Sequence, residues 1–170
     1  MVLDKFAVKV VSKFNMKDKI QFFQETVPAK LEQLTNDQKP EWGMLTPQAM
    51  AEHLVSSWRI ANGKSAGECK MPEEKLQAYR DFLFSDQPFQ KNIKNPLLPE
   101  NEPPPLRKNN LQEAKDQLLK EIEDFFSFHD QNSGTKPIHP VFGPLDMEGW
   151  LIFQEKHTRH HFRQFGLLND

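Results

Sequence analysis

The spacing of apolar residues changes once near the start of the chain. In DKFAVKVVSKF (4–14), Phe6, Val8 and Val10 alternate with Lys5, Ala7 and Lys9, the period of a strand. One strand alone has no stability. Residues 1–14 are therefore expected to form an extended arm, either lying on the body or pairing with a second subunit. From Asn15 to Thr35 the period lengthens: Ile20, Phe23, Val27, Leu31 and Leu34 recur every three or four positions, an amphipathic helix. Pro28 falls inside it and is expected to kink or split it. Thr46 and Pro47 supply an N-cap hydroxyl and an N1 proline for a second helix, with Met50, Leu54, Trp58 and Ala61 as its inner stripe and Gly63 as its stop. Residues 72–84 read as a short helix. Asn110 with Glu113 resembles a capping box. Leu111, Ala114, Leu118, Ile122, Phe125 and Phe126 then mark a third long helix, ending near 129–131. After the turn-rich SGTKPIHPVFGPL, Asp146 caps a fourth, which runs to about Phe165–Gly166.

Four amphipathic helices and no run of strands predict an all-α domain over residues 15–170, packed as a four-helix bundle. The stretch 64–109 stands apart. Pro88, Pro96, Pro99 and Pro103 to Pro105 forbid regular helix or central strand over 85–109, a Pro-rich insert.

Composition narrows the function. A chain of 170 residues with net charge -2 and no segregation of charge is not built to neutralise phosphates, so no nucleic-acid partner is expected. No apolar run reaches the ~18 residues of a membrane span, and charges among the first residues argue against a secretory signal. One cysteine, Cys69, excludes an internal disulfide and a paired-cysteine zinc site, which favours a reducing, cytoplasmic setting. The abundance of Phe and the spare arm also lead to an expectation of self-association.

The six histidines carry the candidate chemistry. In the fourth helix Trp150, Phe153, His157, His161 and Gln164 share one face, with Lys156, Arg159 and Arg163 on the far side. His157 and His161, at i and i+4, project the same way and can grip one metal ion; the same spacing also suits a satisfied core pair. His160 lies ~60° away and reads as rim or second shell. His53 is a third candidate, on the inner stripe of the second helix. Three buried imidazoles without partners cost ~1–3 kcal/mol each. A shared divalent ion removes that cost, because neutral imidazole suits zinc, nickel or iron(II). His53 lies early in its helix, and His157 and His161 lie late in theirs. They meet only if the second and fourth helices are antiparallel, so that the second and third are parallel and a long crossover joins them. Residues 64–109 supply that crossover.

These residues resemble a known family. His53–Leu54 in the second helix and HxxHH in the fourth look like the DinB/YfiT-like superfamily of metal-binding helical proteins. More narrowly, WGMLTPQAMAEHL (42–54), HPVFG (139–143) and KHTRHHFRQFG (156–166) look like a branch of it made of domains of unknown function. The resemblance covers about residues 17–168; the arm and the Pro-rich insert are additions to the minimal domain. It implies one divalent metal, most often nickel or zinc, on His53, His157 and His161, and frequent homodimers. Some relatives are transferases that use a low-molecular-weight thiol.

Two functional classes follow. One is a metal-dependent enzyme, thiol-transferase-like, in which the ion activates a thiol or water against a small electrophile beneath residues 85–109. The other is a non-catalytic metal-bearing module that serves a partner. Glu155 points away from the His157 face, which leaves no general base in the motif, and the catalytic residues stay unassigned. The remaining candidates read as structural: His139 in a rigid turn, His129 against a helix dipole, Trp58 and Trp150 in the core, Arg159 and Arg163 in solvent. Cys69 has no basic neighbour beyond Lys70, too little to mark it as a nucleophile.

Overall fold

The computed structural model describes residues 15–92 and 105–169. The expected arm, 1–14, lies outside the described residues, as does the 93–104 part of the insert.

The described chain is mostly helical. Helix α1 (Met16–Gln21) starts on Asn15, whose side chain accepts from Lys17 N–H. It passes through a π-helical segment, Phe22–Thr26, into α2 (Val27–Gln33). The expected break at Pro28 is thus an interruption that comes before it. Pro28 sits in the first turn of α2, where a missing N–H is tolerated, and the wider turn ahead of it ends with Val27 N–H bonded to Phe22 O.

The three other long helices start on the expected caps. In α3 (Pro47–Ala61) Thr46 accepts from Ala49 N–H. In α5 (Leu111–Gln131) Asn110 accepts from Glu113 N–H. In α6 (Met147–Gln164) Asp146 accepts from Gly149 N–H. Between α3 and α5 lies α4 (Glu73–Leu83), anchored by its buried Leu83 and by Arg80, which donates to Phe142 O and Pro144 O. The connection before α6 is more ordered than its composition implies. It folds into an antiparallel pair, β1 (Ile138–His139) and β2 (Gly143–Pro144), with Ile138 opposite Pro144 and His139 opposite Gly143.

Side-chain contacts fix the helix directions. Glu52 and Gln48, early in α3, bond to the chain at 107–108 just before α5, whereas Asn62 and Ala61 at its end bond to Glu121 and His129. Helices α3 and α5 therefore run the same way. Against α6 the order reverses: His53 meets His157 and His161, and Ser57 meets Gln154. Helix α1 runs with α6, pairing Lys19 with Glu155 and Phe22 with Arg159. Residues 62–110 thus connect two parallel helices, the geometry that brings His53 to α6.

The core follows the predicted stripes. Met50, Leu54, Trp58 and Ala61 are fully buried, as are Val27, Phe125, Trp150, Leu151 and Phe162. Trp58 packs edge-on against Phe23 and Phe125, so its truncation to alanine removes about 3–5 kcal/mol. Gly63 takes φ +70° to end α3, and a Cβ there would lie 2.9 Å from the Phe128 ring. A polar knot joins the ends of α3 and α5. The Glu121 carboxylate, buried on α5, accepts from Asn62 Nδ2 (2.8 Å), Arg59 (3.1 Å), Lys64 (2.8 Å) and Gln117 (2.7 Å).

Candidate metal centre

Antiparallel packing of α3 on α6 places His53 opposite the His157–His161 face. The Nε2 atoms of His53 and His157 stand 2.8 Å apart, and the ring centroids of His53, His157 and His161 are 4.8–4.9 Å from one another. Each residue offers one nitrogen, and all three nitrogens lie within 4.8 Å of each other. His161 is buried, and His53 and His157 are half-buried at the helix interface.

The electrostatics keep these rings neutral. Burial, helped by the neighbouring His160, pushes His53 down to about 4. Burial also holds His157 and His161 well below the usual histidine range, with the nearby imidazoles adding to it. Near neutral pH every ring therefore has one lone pair to give. Two facing Nε2 atoms can share a single proton, and the third ring adds another acceptor. Converging neutral imidazole nitrogens, with no carboxylate among them in the described residues, fit a borderline divalent cation such as zinc or nickel. These three residues can hold a metal ion.

The rings have outer partners. His161 Nδ1 is 2.8 Å from Gln164 Oε1, and Ser57 Oγ lies 3.5 Å from His157 Nδ1. His160 sits outside the trio, half-buried, with its ring 5.1 Å from His161 and 5.6 Å from Trp42. Burial lowers its pKa, against a hydrogen bond with the Phe89 backbone. Phe89 belongs to a strap, residues 85–92, that lies over this face. Its ring is 6.1 Å from His160, 6.3 Å from Phe153 and 6.5 Å from His157. Lys156 Nζ holds the strap by donating to Ser85 O (2.6 Å) and Gln87 O (2.5 Å), and Lys91 Nζ stands over the Trp42 ring at 4.6 Å.

On its other side His53 lines a pocket of about 170 Å³ with Ala49, Glu52, Ser56, Pro105, Leu106 and Arg107. Glu52 secures that wall. Its carboxylate accepts from Arg107 N–H (2.7 Å), Lys108 N–H (3.0 Å) and Gln48 Nε2 (3.0 Å). Burial works against its charge, but these hydrogen bonds outweigh burial and hold the carboxyl below its usual range.

The other candidates fall away from the trio. His139 Nδ1 accepts from Val141 N–H (3.0 Å) and Phe142 N–H (3.2 Å), closing the turn of the hairpin, and burial pushes the ring to about 3. His129 differs from the dipole reading: it is buried, its pKa is lowered by that burial, and Nε2–H donates to Ala61 O at 3.0 Å. Arg159 is not simply solvated, since it stacks 4.3 Å over Phe22 and pairs with Glu155; Arg163 is likewise half-buried. Glu155 faces Lys19 and Arg159, away from the histidines. Trp58 and Trp150 are core, and Cys69 Sγ only approaches Met71 O, at 3.7 Å. The sequence reading gave no role to Glu52 or Gln164. Gln164 carried a signal, being three residues past His161 on the same face; for Glu52 the sequence offered only Gln48 one turn earlier, because the backbone N–H groups it holds lie 55 and 56 positions away.

No described helix is long and apolar enough to cross a membrane. Residues 25–165 match the family model of the DinB superfamily. No curated protein matches the chain. No solved structure matches it either.

Proposed function

Because the chain belongs to the DinB superfamily, we propose that it is a divalent-metal-dependent protein whose ion, nickel or zinc, is held by His53, His157 and His161. The observation that carries this reading is the convergence of three neutral imidazole nitrogens from α3 and α6. The helix directions support a four-helix bundle with its crossover between the second and third long helices. When bound, the ion supplies Lewis acidity to a small molecule beside it and lowers the pKa of a coordinating group.

This chain's own residues would do the rest. His53, His157 and His161 present lone pairs. Phe89 and the Lys156-anchored strap keep water from one side, while Glu52 holds the wall of the pocket on which His53 opens. Among the described residues no carboxylate joins the three histidines to act as a base, since Glu52 is engaged by backbone N–H groups and Glu155 by Lys19 and Arg159. That favours a substrate whose acidic group ionises on its own, such as a low-molecular-weight thiol transferred to a small electrophile. Within this reading the chain works in a reducing cytoplasmic setting, and a homodimer is its assembled form.

A second reading, a structural ion without turnover, draws on the size of the pocket. About 170 Å³ is less than the ~300 Å³ of ordinary ligand sites. Thiol consumption with an activated aryl halide separates the two. The enzyme reading expects turnover in metal-loaded protein that disappears in chelator-treated protein and in His157→Ala. Equal rates in all three would overturn it.

A further inference from the structure

Gln164 closes α6 three residues after His161, and it is buried. Its carboxamide stands between two groups. Nε2 is 2.8 Å from the carbonyl oxygen of Trp42, and Oε1 is 2.8 Å from Nδ1 of His161. A carbonyl oxygen only accepts, so the amide nitrogen has to face Trp42 and the amide oxygen has to face the imidazole. The amide oxygen in turn only accepts, so Nδ1 of His161 carries the proton. The lone pair is left on the other ring nitrogen, the one available to the cluster with His53 and His157.

The loop before α3 is shaped for this contact. Gly43 has φ +76°, a conformation that side chains resist, and a Cβ at that position would lie 2.8 Å from Gln164 Nε2. Glu41 N–H donates to Gln164 O at 2.7 Å. Residues 41–43 thus grip Gln164 by main chain and side chain together, so the carboxamide has little freedom to turn over.

We propose that Gln164, seated by Trp42 and Gly43, is the positioning residue that fixes the tautomer and ring orientation of His161 for a divalent metal. The inference rests on the metal centre proposed above. Outer partners of this kind govern ligand orientation, and losing one typically weakens metal binding about 10–100-fold.

The test uses Gln164→Leu and Gln164→Glu in the full chain. Leucine removes the acceptor, whereas glutamate keeps it. Nitrogen-15 NMR of the histidine rings in metal-free protein reads the tautomer, and zinc titration against a competing chelator reads affinity. Expected results are an Nδ1–H tautomer at His161 in wild type and in Q164E, lost in Q164L, and zinc binding about 10–100-fold weaker in Q164L with most of it retained in Q164E. An unchanged tautomer in Q164L overturns the proposal. So does an equal loss of affinity in both variants, which is what a merely structural helix-end tie would give. Should Q164L not fold, Gly43→Ala displaces the same amide and is read in the same way. A wild type that binds no zinc would overturn the metal centre, and the tautomer measurement would still decide the role of Gln164.

Discussion

His53 and His157 face each other Nε2 to Nε2 at 2.8 Å, although 104 positions separate them in the chain. Without an ion only one proton fits between those atoms, and His161 adds a third ring that burial keeps neutral. A cation that binds the folded form alone stabilises it by RT ln(1 + [L]/Kd), about 2.7 kcal/mol at a hundredfold excess over Kd. For a chain of this size that raises Tm by roughly 5–10 °C. Calorimetry with and without nickel or zinc is expected to show this rise in wild type and to show none in His157→Ala.

His139 gives a pH dependence of known sign. Its folded pKa of about 3 lies below its unfolded value, because burial opposes the charged ring. Stability is therefore complete above pH ~6.5 and is lost as pH falls from there toward the folded pKa. At pH 5 the loss is about 2 kcal/mol. His139→Asn keeps an acceptor for Val141 and Phe142 N–H but does not titrate. Denaturant unfolding at pH 7.5 and pH 5 is expected to show a larger fall in wild type than in the variant. Equal falls would mean that His139 does not set this dependence.

Glu121 is the polar centre of the α3–α5 contact. Glu121→Ala removes the carboxylate that Asn62, Lys64 and Arg59 share, and leaves part of a buried cluster unpaired. A loss of about 2 kcal/mol in unfolding free energy is expected. Zinc affinity should not change, because Glu121 takes no part in the histidine cluster. A parallel fall in affinity would connect the two sites.

Lys156 holds the strap over the histidines through Ser85 O and Gln87 O. Lys156→Met keeps the aliphatic stem and loses both hydrogen bonds. Limited proteolysis with mass spectrometry is expected to show faster cleavage between residues 85 and 92, with little change in the global unfolding midpoint. Unaltered cleavage would show that Phe89 packing alone retains the strap.

Much of this was legible in the sequence, and for local reasons. Thr46, Asn110 and Asp146 cap their helices by bonding N–H groups three residues on, so each start could be read from four residues. The capping box at Asn110 is offset by one, since Glu113 reaches back to Asn109 N–H. The meeting of His53 with His157 and His161 followed from i, i+4 spacing and from a loop long enough to join parallel helices. The hairpin at 138–144 was hidden because two-residue strands leave no alternation to detect. The π-helical segment gave no pattern apart from Pro28 after it. His129 misled because a helix-end histidine reads as a cation, while its burial against Ala61 is tertiary. Glu52 and the Trp42–Gln164 contact depend on partners far away in the chain, and residue spacing does not encode those.

Metal analysis of tag-free protein after reconstitution with nickel or zinc decides whether His53, His157 and His161 form a metal centre. The three-histidine centre predicts one ion per chain in wild type and essentially none in His53→Ala or His157→Ala, with both variants still helical by circular dichroism. Wild type without bound metal, or variants that bind as well as wild type, would contradict it.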